Sequence, residues 1–133
     1  MTGPLALYEK LKQNWLGSLN DPDDDLWAED VVVETPYSLP GRRRHEGRAA
    51  WLEYMRTSRA AMPPVRFDEV REIAVHETRD PEVLVIEYEL TGTLLATGKQ
   101  GSGRFVAVLR VRDGRIVLWR EYQDVVAMAE VFS

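Results

Sequence analysis

The chain has 133 residues and a formal net charge of -5, with 44% hydrophobic and 29% charged residues. This length fits a single domain over residues 1–133, and the apolar content is sufficient for a core, which excludes a disordered chain. The acidic balance argues against nucleic-acid binding. The absence of cysteine excludes disulfides and thiolate chemistry.

The first third of the chain carries helix signals followed by a strand signal. Residues Pro4–Leu19 repeat apolar side chains at spacings of three and four, which predicts an amphipathic helix. Asp21 and Pro22 suit the N-cap and the first position of a second, short helix. The three valines at 31–33 then favour a strand.

The middle of the chain is predicted to be a loop and then a helix. Residues 35–46 combine two prolines, a glycine and three arginines, a composition typical of a loop. Residues 47–62 have helical spacing again, and the prolines at 63 and 64 end that helix.

From residue 65 onward the hydrophobic period changes to two, which predicts four strands in hairpin succession. Leu84–Leu90 and Phe105–Val111 alternate apolar and mostly polar or β-branched positions. Asp113-Gly114 predicts a two-residue hairpin turn, and Gly98–Gly103 predicts another turn. A short helix is predicted over 125–132.

This order of elements predicts an α+β fold, in which helices cover one face of a curved sheet and leave room for an internal cavity. The chain shows neither a basic, apolar leader nor an apolar run long enough to span a membrane. We therefore expect a cytoplasmic protein without membrane contact.

Three local sequences resemble the nuclear transport factor 2-like superfamily, and within it the SnoaL-like branch. They are Trp27–Pro36, His45–Ala50 and Asp113–Tyr122, which together span nearly the whole chain. The resemblance implies a cone-shaped, cystatin-like fold with three helices on a strongly curved, mostly antiparallel sheet. This fold carries isomerases, polyketide cyclases, epoxide hydrolases, dehydratases and pure binding proteins, so it implies a fold more firmly than a reaction.

Three positions depart from the ketosteroid isomerase-like members of that superfamily. Thr35 and Ala107 stand where those members have carboxylates, and Trp15 stands where they have a tyrosine. Steroid isomerisation by that set of residues is therefore not expected. The similarity to SnoaL-like and phenazine-biosynthesis proteins implies instead that Glu121, in an Arg-Glu-aromatic stretch, acts as the acid.

Glu121 is the principal catalytic candidate. On a strand of period two it shares one face with Trp119 and Gln123, and the resemblance places that face inside. Burial would raise the pKa of the carboxyl group and suit it for general acid or base work. The alternatives are that an arginine neutralises Glu121 or that it lies on the outer face.

His45 and Glu34 are weaker candidates. His45 precedes a helix, where a loop could bring its imidazole to the cavity mouth and to Glu121; alternatively it is a solvated loop histidine. Glu34 is polar within an apolar strand and is predicted beside Glu121, where two acids would separate each other's pKa values. Alternatively Glu34 caps a helix or faces solvent.

Aromatic and apolar side chains are predicted to contact a flat ligand in the cavity. With the polar pair Glu34 and Gln123, the ligand-binding candidates are Trp15, Trp51, Tyr54, Ile86, Tyr88, Leu109 and Trp119. The alternative is that most of the aromatic side chains only fill the core.

Two functions remain open on these residues. The first is a cofactor-independent isomerase, cyclase or dehydratase acting on a small apolar, cyclic or aromatic molecule. The second is a ligand-binding or dimerising accessory protein without chemistry. Two histidines and no cysteine predict no metal site, and missing nucleotide motifs predict no organic cofactor. Valines on the outer sheet face predict a homodimer packed through the sheets.

Overall fold

The structure is a computed structural model that describes residues 3–17 and 24–132. In chain order its elements are α1 (Pro4–Gly17), a 3-10 turn (Asp24–Leu26), β1 (Trp27–Thr35), β2 (Arg43–Glu46), α2 (Arg48–Ala61), β3 (Val65–Glu77), β4 (Val83–Leu94), β5 (Gln100–Arg112), β6 (Arg115–Gln123) and α3 (Val125–Val131). The predicted α+β class is confirmed. No helix in these described segments is long and apolar enough to cross a membrane.

All six strands belong to one sheet in the order β2-β1-β6-β5-β4-β3. Neighbouring strands are antiparallel except for β1 and β6, which run parallel with Val33 opposite Trp119. The last strand along the chain therefore lies in the middle of the sheet, between β1 and β5. This position is what brings residues from both halves of the chain to one site.

The inner face of the sheet is built from alternate residues of the central strands. Ile86 on β4 lies opposite Ala107 on β5, and Leu109 lies opposite Trp119 on β6. These side chains are almost completely buried. The apolar stripe of α1, which includes Tyr8, packs against them and closes the core.

The predicted hairpin between β5 and β6 is confirmed. Asp113 and Gly114 have φ values of 53° and 74°, the left-handed pair that a type I′ turn requires. The turn fixes the register of β6 and so decides which of its residues face inward.

The predicted loop over 35–46 is wrong in its last part, because Arg43–Glu46 forms the edge strand β2. Its backbone pairs antiparallel with β1, with His45 opposite Val33. An edge strand of four polar residues has no apolar period to detect, which explains why composition indicated a loop.

The predicted turn at Gly98–Gly103 is also partly wrong. The chain turns over residues 95–99, and β5 already begins at Gln100. Gly101 and Gly103 thus lie within the strand, and Gly101 serves packing there: a Cβ atom on Gly101 would be 2.1 Å from Cγ2 of Val131 in α3. The predicted N-cap at Asp21 and helix start at Pro22 lie outside the described residues.

One polar contact caps α3 and a second ties it to the turn before β5. The Asp124 side chain accepts a hydrogen bond of 3.0 Å from the backbone N–H of Ala127 and caps the helix. Lys99 Nζ donates to the backbone oxygen of Glu130 at 2.6 Å. As a result α3 closes one end of the sheet's inner face.

Candidate active site

A cavity of about 410 Å³ lies between the C-terminal end of α2, the inner face of β3–β6, and α3. Its wall is mainly apolar, with Glu121 and Gln123 as the polar groups from β6. The apolar lining includes Met62, Phe67, Leu90, Phe105, Met128 and Val131. A carboxyl group that faces a cavity with such an apolar wall is poorly solvated.

Glu121 lies on the inner face and is held by hydrogen bonds at both carboxyl oxygens. The Tyr88 hydroxyl donates to Oε2, and the Gln123 amide donates to Oε1 at 2.9 Å. Ala107 is the direct partner of Glu121 on β5, and its short side chain leaves room for Glu121 and Tyr88 to meet across that strand. The predicted face of the final strand is thus the one that the structure shows.

The environment of Glu121 sets its titration. Burial raises the pKa of the carboxyl group above its usual value of 4.5, while hydrogen bonds from Tyr88, Gln123 and Trp119 oppose the rise. Burial and the neighbouring Glu121 raise the pKa of the Tyr88 phenol in turn. Tyr88 therefore stays a neutral hydrogen-bond donor, and Glu121 is an acid with a raised pKa at an apolar cavity.

Five of the predicted ligand contacts lie behind the cavity wall and not on it. Trp15 packs against Tyr88 and Trp119 with ring centroids 5.5 and 5.9 Å apart, so these three rings form core. Ile86 and Leu109 have no exposed surface at all. Their predicted role as ligand contacts in this cavity is corrected, because α1 packs on the part of the inner face where they lie and makes it core.

His45 does not pair with Glu121, which corrects the predicted acid–base pair. Its ring packs at a tilt on Tyr54, with 4.1 Å between centroids, and lies 5.5 Å from Trp51, in a separate aromatic cluster between β2 and α2. Trp51 and Tyr54 thus do not line the cavity, and their predicted role as ligand contacts there is also corrected. Burial and the nearby Arg43 lower the pKa of His45, which favours the neutral ring. Strand β1 separates β2 from β6, which keeps the imidazole away from the carboxyl group.

Glu34 faces the opposite side of the sheet, and its predicted place beside Glu121 is wrong. Its carboxylate forms ion pairs with Arg44 of β2 and with Arg120 of β6, the latter at 3.3 Å. Val33 points inward, so its neighbour Glu34 must point outward.

Several cavity residues were missed by the sequence reasoning. Phe67 and the methionines at 62 and 128 line the wall, together with Arg59 from α2. The only sequence signal of the apolar ones is the periodicity of their elements, which does not distinguish cavity wall from core, and Arg59 lies on the helix face that the sequence predicts to be exposed. Among the described residues no three His, Asp or Glu side chains converge as a metal site would require.

Comparison with known proteins places this geometry in a family. The family model described as a SnoaL-like domain matches residues 20–119. An uncharacterised PhzA/B-like protein of Pseudomonas aeruginosa is 34% identical over 99 residues, which are 74% of this chain and 67% of that protein. The uncharacterised Bacillus subtilis protein YesE is 28% identical over 82% of this chain and 73% of its own length.

Solved structures agree with that match. A Bacillus subtilis protein provisionally named an isomerase superposes with a TM-score of 0.84 at 25% identity, over 97% of this chain and 91% of that one. An epoxide hydrolase-like protein of M. tuberculosis shares the fold with a TM-score of 0.67 at 23% identity, over 94% and 85% of the two chains. The chain belongs to the SnoaL-like domain family of the nuclear transport factor 2-like superfamily.

Proposed function

We propose that this protein is a cofactor-independent acid–base enzyme, an isomerase, cyclase or dehydratase, that moves a proton on a small apolar, cyclic or aromatic molecule. One observation carries the proposal: the Glu121 carboxyl group opens into an apolar cavity and has a raised pKa. A pKa shifted from 4.5 towards neutrality suits a group that both gives and takes a proton.

The cavity wall supports the proposed ligand class. Aromatic side chains at Phe67 and Phe105 and the methionines at 62 and 128 offer apolar and polarisable surface to a ring. Gln123 supplies an amide beside the acid, which can orient a carbonyl or hydroxyl group of the ligand. A neutral molecule with one polar atom directed at Glu121 fits this distribution.

The names of related proteins favour the same reaction class. Among the proteins that share the fold are ones named as an isomerase, as polyketide cyclases and as an epoxide hydrolase. Isomerisation and cyclisation of carbonyl compounds start with proton transfer at carbon. This chain contributes Glu121 as the group to perform that step.

Hydrogen–deuterium exchange into a panel of neutral cyclic ketones tests the proposal without a known substrate. We expect the wild-type protein in D₂O to speed exchange into at least one compound, measured by mass spectrometry, and Glu121→Gln to reduce that rate by ~100-fold or more. Glu53→Gln, at an exposed position on α2, is the matched control and keeps the rate. Equal rates for wild type and Glu121→Gln exclude Glu121 as the proton carrier.

A non-catalytic ligand-binding protein is the second candidate, and the position of His45 favours it. Of the two predicted catalytic residues, only Glu121 reaches the cavity, because His45 lies in a separate aromatic cluster. Binding of panel compounds, detected by a rise in melting temperature, without exchange above the background rate would support this candidate.

A further inference from the structure

Tyr88 is tightly packed where its hydroxyl meets Glu121. The side chain is 1% exposed, and its ring stacks on Phe105 with centroids 5.5 Å apart. Trp15 and Tyr8 contact the ring at centroid distances of 5.5 and 6.2 Å. Three aromatic neighbours leave the phenol one orientation, with its hydroxyl directed at Glu121.

A flexible glutamate needs such a support. A glutamate side chain loses substantial rotamer freedom when it is held in one geometry, and a carboxyl group that moves cannot keep a productive angle to a bound molecule. The Gln123 amide holds Oε1. However, Gln123 itself lies at the cavity wall, whereas Tyr88 lies behind it and is not displaced by a ligand.

We propose that Tyr88 is the positioning residue of this site, and that its phenol holds the Glu121 carboxyl group facing the cavity. The catalytic value of this arrangement rests on the proposed function, whereas the hydrogen bond that holds Glu121 is a property of the protein alone. Tyr88 acts through Glu121 and is not itself a catalytic residue.

The proposal predicts a titration effect that simple core packing does not. A phenol that donates to a carboxylate stabilises the ionised form, so the hydrogen bond from Tyr88 works against the burial that raises the pKa of Glu121. Removing only the hydroxyl group must therefore raise that pKa further. Removing a hydroxyl group that does not touch Glu121 must not.

The chain offers a matched control at Tyr8. This tyrosine is also fully buried and packs on the same cluster, but its hydroxyl has no hydrogen-bond partner among the described residues. Tyr88→Phe and Tyr8→Phe thus remove the same atom from neighbouring core positions. Only the first removes a donor to Glu121.

The experiment is a ¹³C NMR titration of the glutamate side-chain carboxyl carbons, with the Glu121 signal assigned by its absence in Glu121→Gln. We expect Tyr88→Phe to move the Glu121 midpoint to higher pH by roughly one unit, since a hydrogen bond to a charged group is among the stronger ones. Tyr8→Phe leaves the midpoint at the wild-type value. An unchanged midpoint in Tyr88→Phe, or equal shifts in both variants, overturns the proposal.

A second measurement with the opposite sign covers the case in which Tyr88→Phe does not fold. Replacing Tyr88 with 3-fluorotyrosine keeps the ring and makes the hydroxyl a stronger donor, which should lower the Glu121 midpoint. A midpoint that stays or rises contradicts the proposed hold. Because neither titration needs a substrate, a failure of the hold is distinguishable from a failure of deuterium exchange, which would reject the proposed function alone.

Discussion

Burial makes the protonated form of Glu121 more favourable in the folded chain than in the unfolded chain. Below the usual pKa of 4.5 both states hold the proton, and Glu121 adds no pH dependence to stability. As pH rises above 4.5, the unfolded chain loses its proton first, so the free energy of unfolding falls until the raised folded pKa is passed.

Glu121→Gln removes this term while it keeps the shape of the side chain. We predict that the variant's free energy of unfolding exceeds that of the wild type by a margin that grows by roughly 1 kcal/mol as the pH rises from 4 to 8. The reason is that an amide costs less to bury than an ionised carboxyl group. Chemical denaturation of both proteins at the two pH values measures the gap. A gap that is constant or narrows towards pH 8 contradicts the raised pKa.

The strand period grouped Glu121 with Trp119 and Gln123 on one face of β6, and the family resemblance identified that face as the inner one. The same reasoning failed for Glu34, since Val31, Val32 and Val33 are apolar on both faces and conceal the phase of β1. His45 failed for another reason. The direction of the His45 side chain is set by the pairing of β2 with β1, and four polar residues in a row contain no pattern that predicts this pairing.

At the scale of elements, the packing of α3 on the sheet depends on Gly101 of β5. A methyl group on Gly101 would overlap the Val131 side chain, so α3 would have to move away from the sheet. We predict that Gly101→Ala lowers the free energy of unfolding by about 1–3 kcal/mol, the usual cost of overpacking. Thermal or chemical unfolding measures the loss.

A compensating substitution separates overpacking from a general effect of replacing glycine. Adding Val131→Ala to Gly101→Ala should restore much of the lost stability, because it removes the overlapping atoms. Gly41→Ala, at a position with nothing within 4 Å of the added carbon, should be close to neutral. The packing of α3 is not the cause if the double variant is no more stable than Gly101→Ala.

The glycine segment also shows what local sequence reasoning cannot decide. Glycine at 101 and 103 is compatible with a turn or with close packing, and the sequence near these residues favours a turn. The close packing is created by Val131, thirty residues later, which only the assembled fold brings near.

At the scale of the whole molecule, the outer face of the sheet is the proposed dimer surface. Val85, Val106 and Val108 are half-buried on this face and are surrounded by charged pairs such as Arg120 with Glu34. We predict a homodimer that light scattering detects at micromolar concentration, and we expect Val108→Asp to convert it to a monomer. Val126→Asp, at an exposed position on α3, should remain dimeric. A monomer mass for the wild type refutes the prediction.

The parallel pairing of β1 with β6 has a consequence for how the chain is made. During synthesis β1 emerges first, but its partner along one edge appears only after roughly eighty further residues, since Val33 pairs with Trp119. Until then one edge of β1 stays open, and a nascent sheet with an open edge is prone to pair with other chains. The strand that carries Glu121 is therefore also the one that pairs with the open edge of β1, so the folding chain positions its acid and covers this edge in the same step.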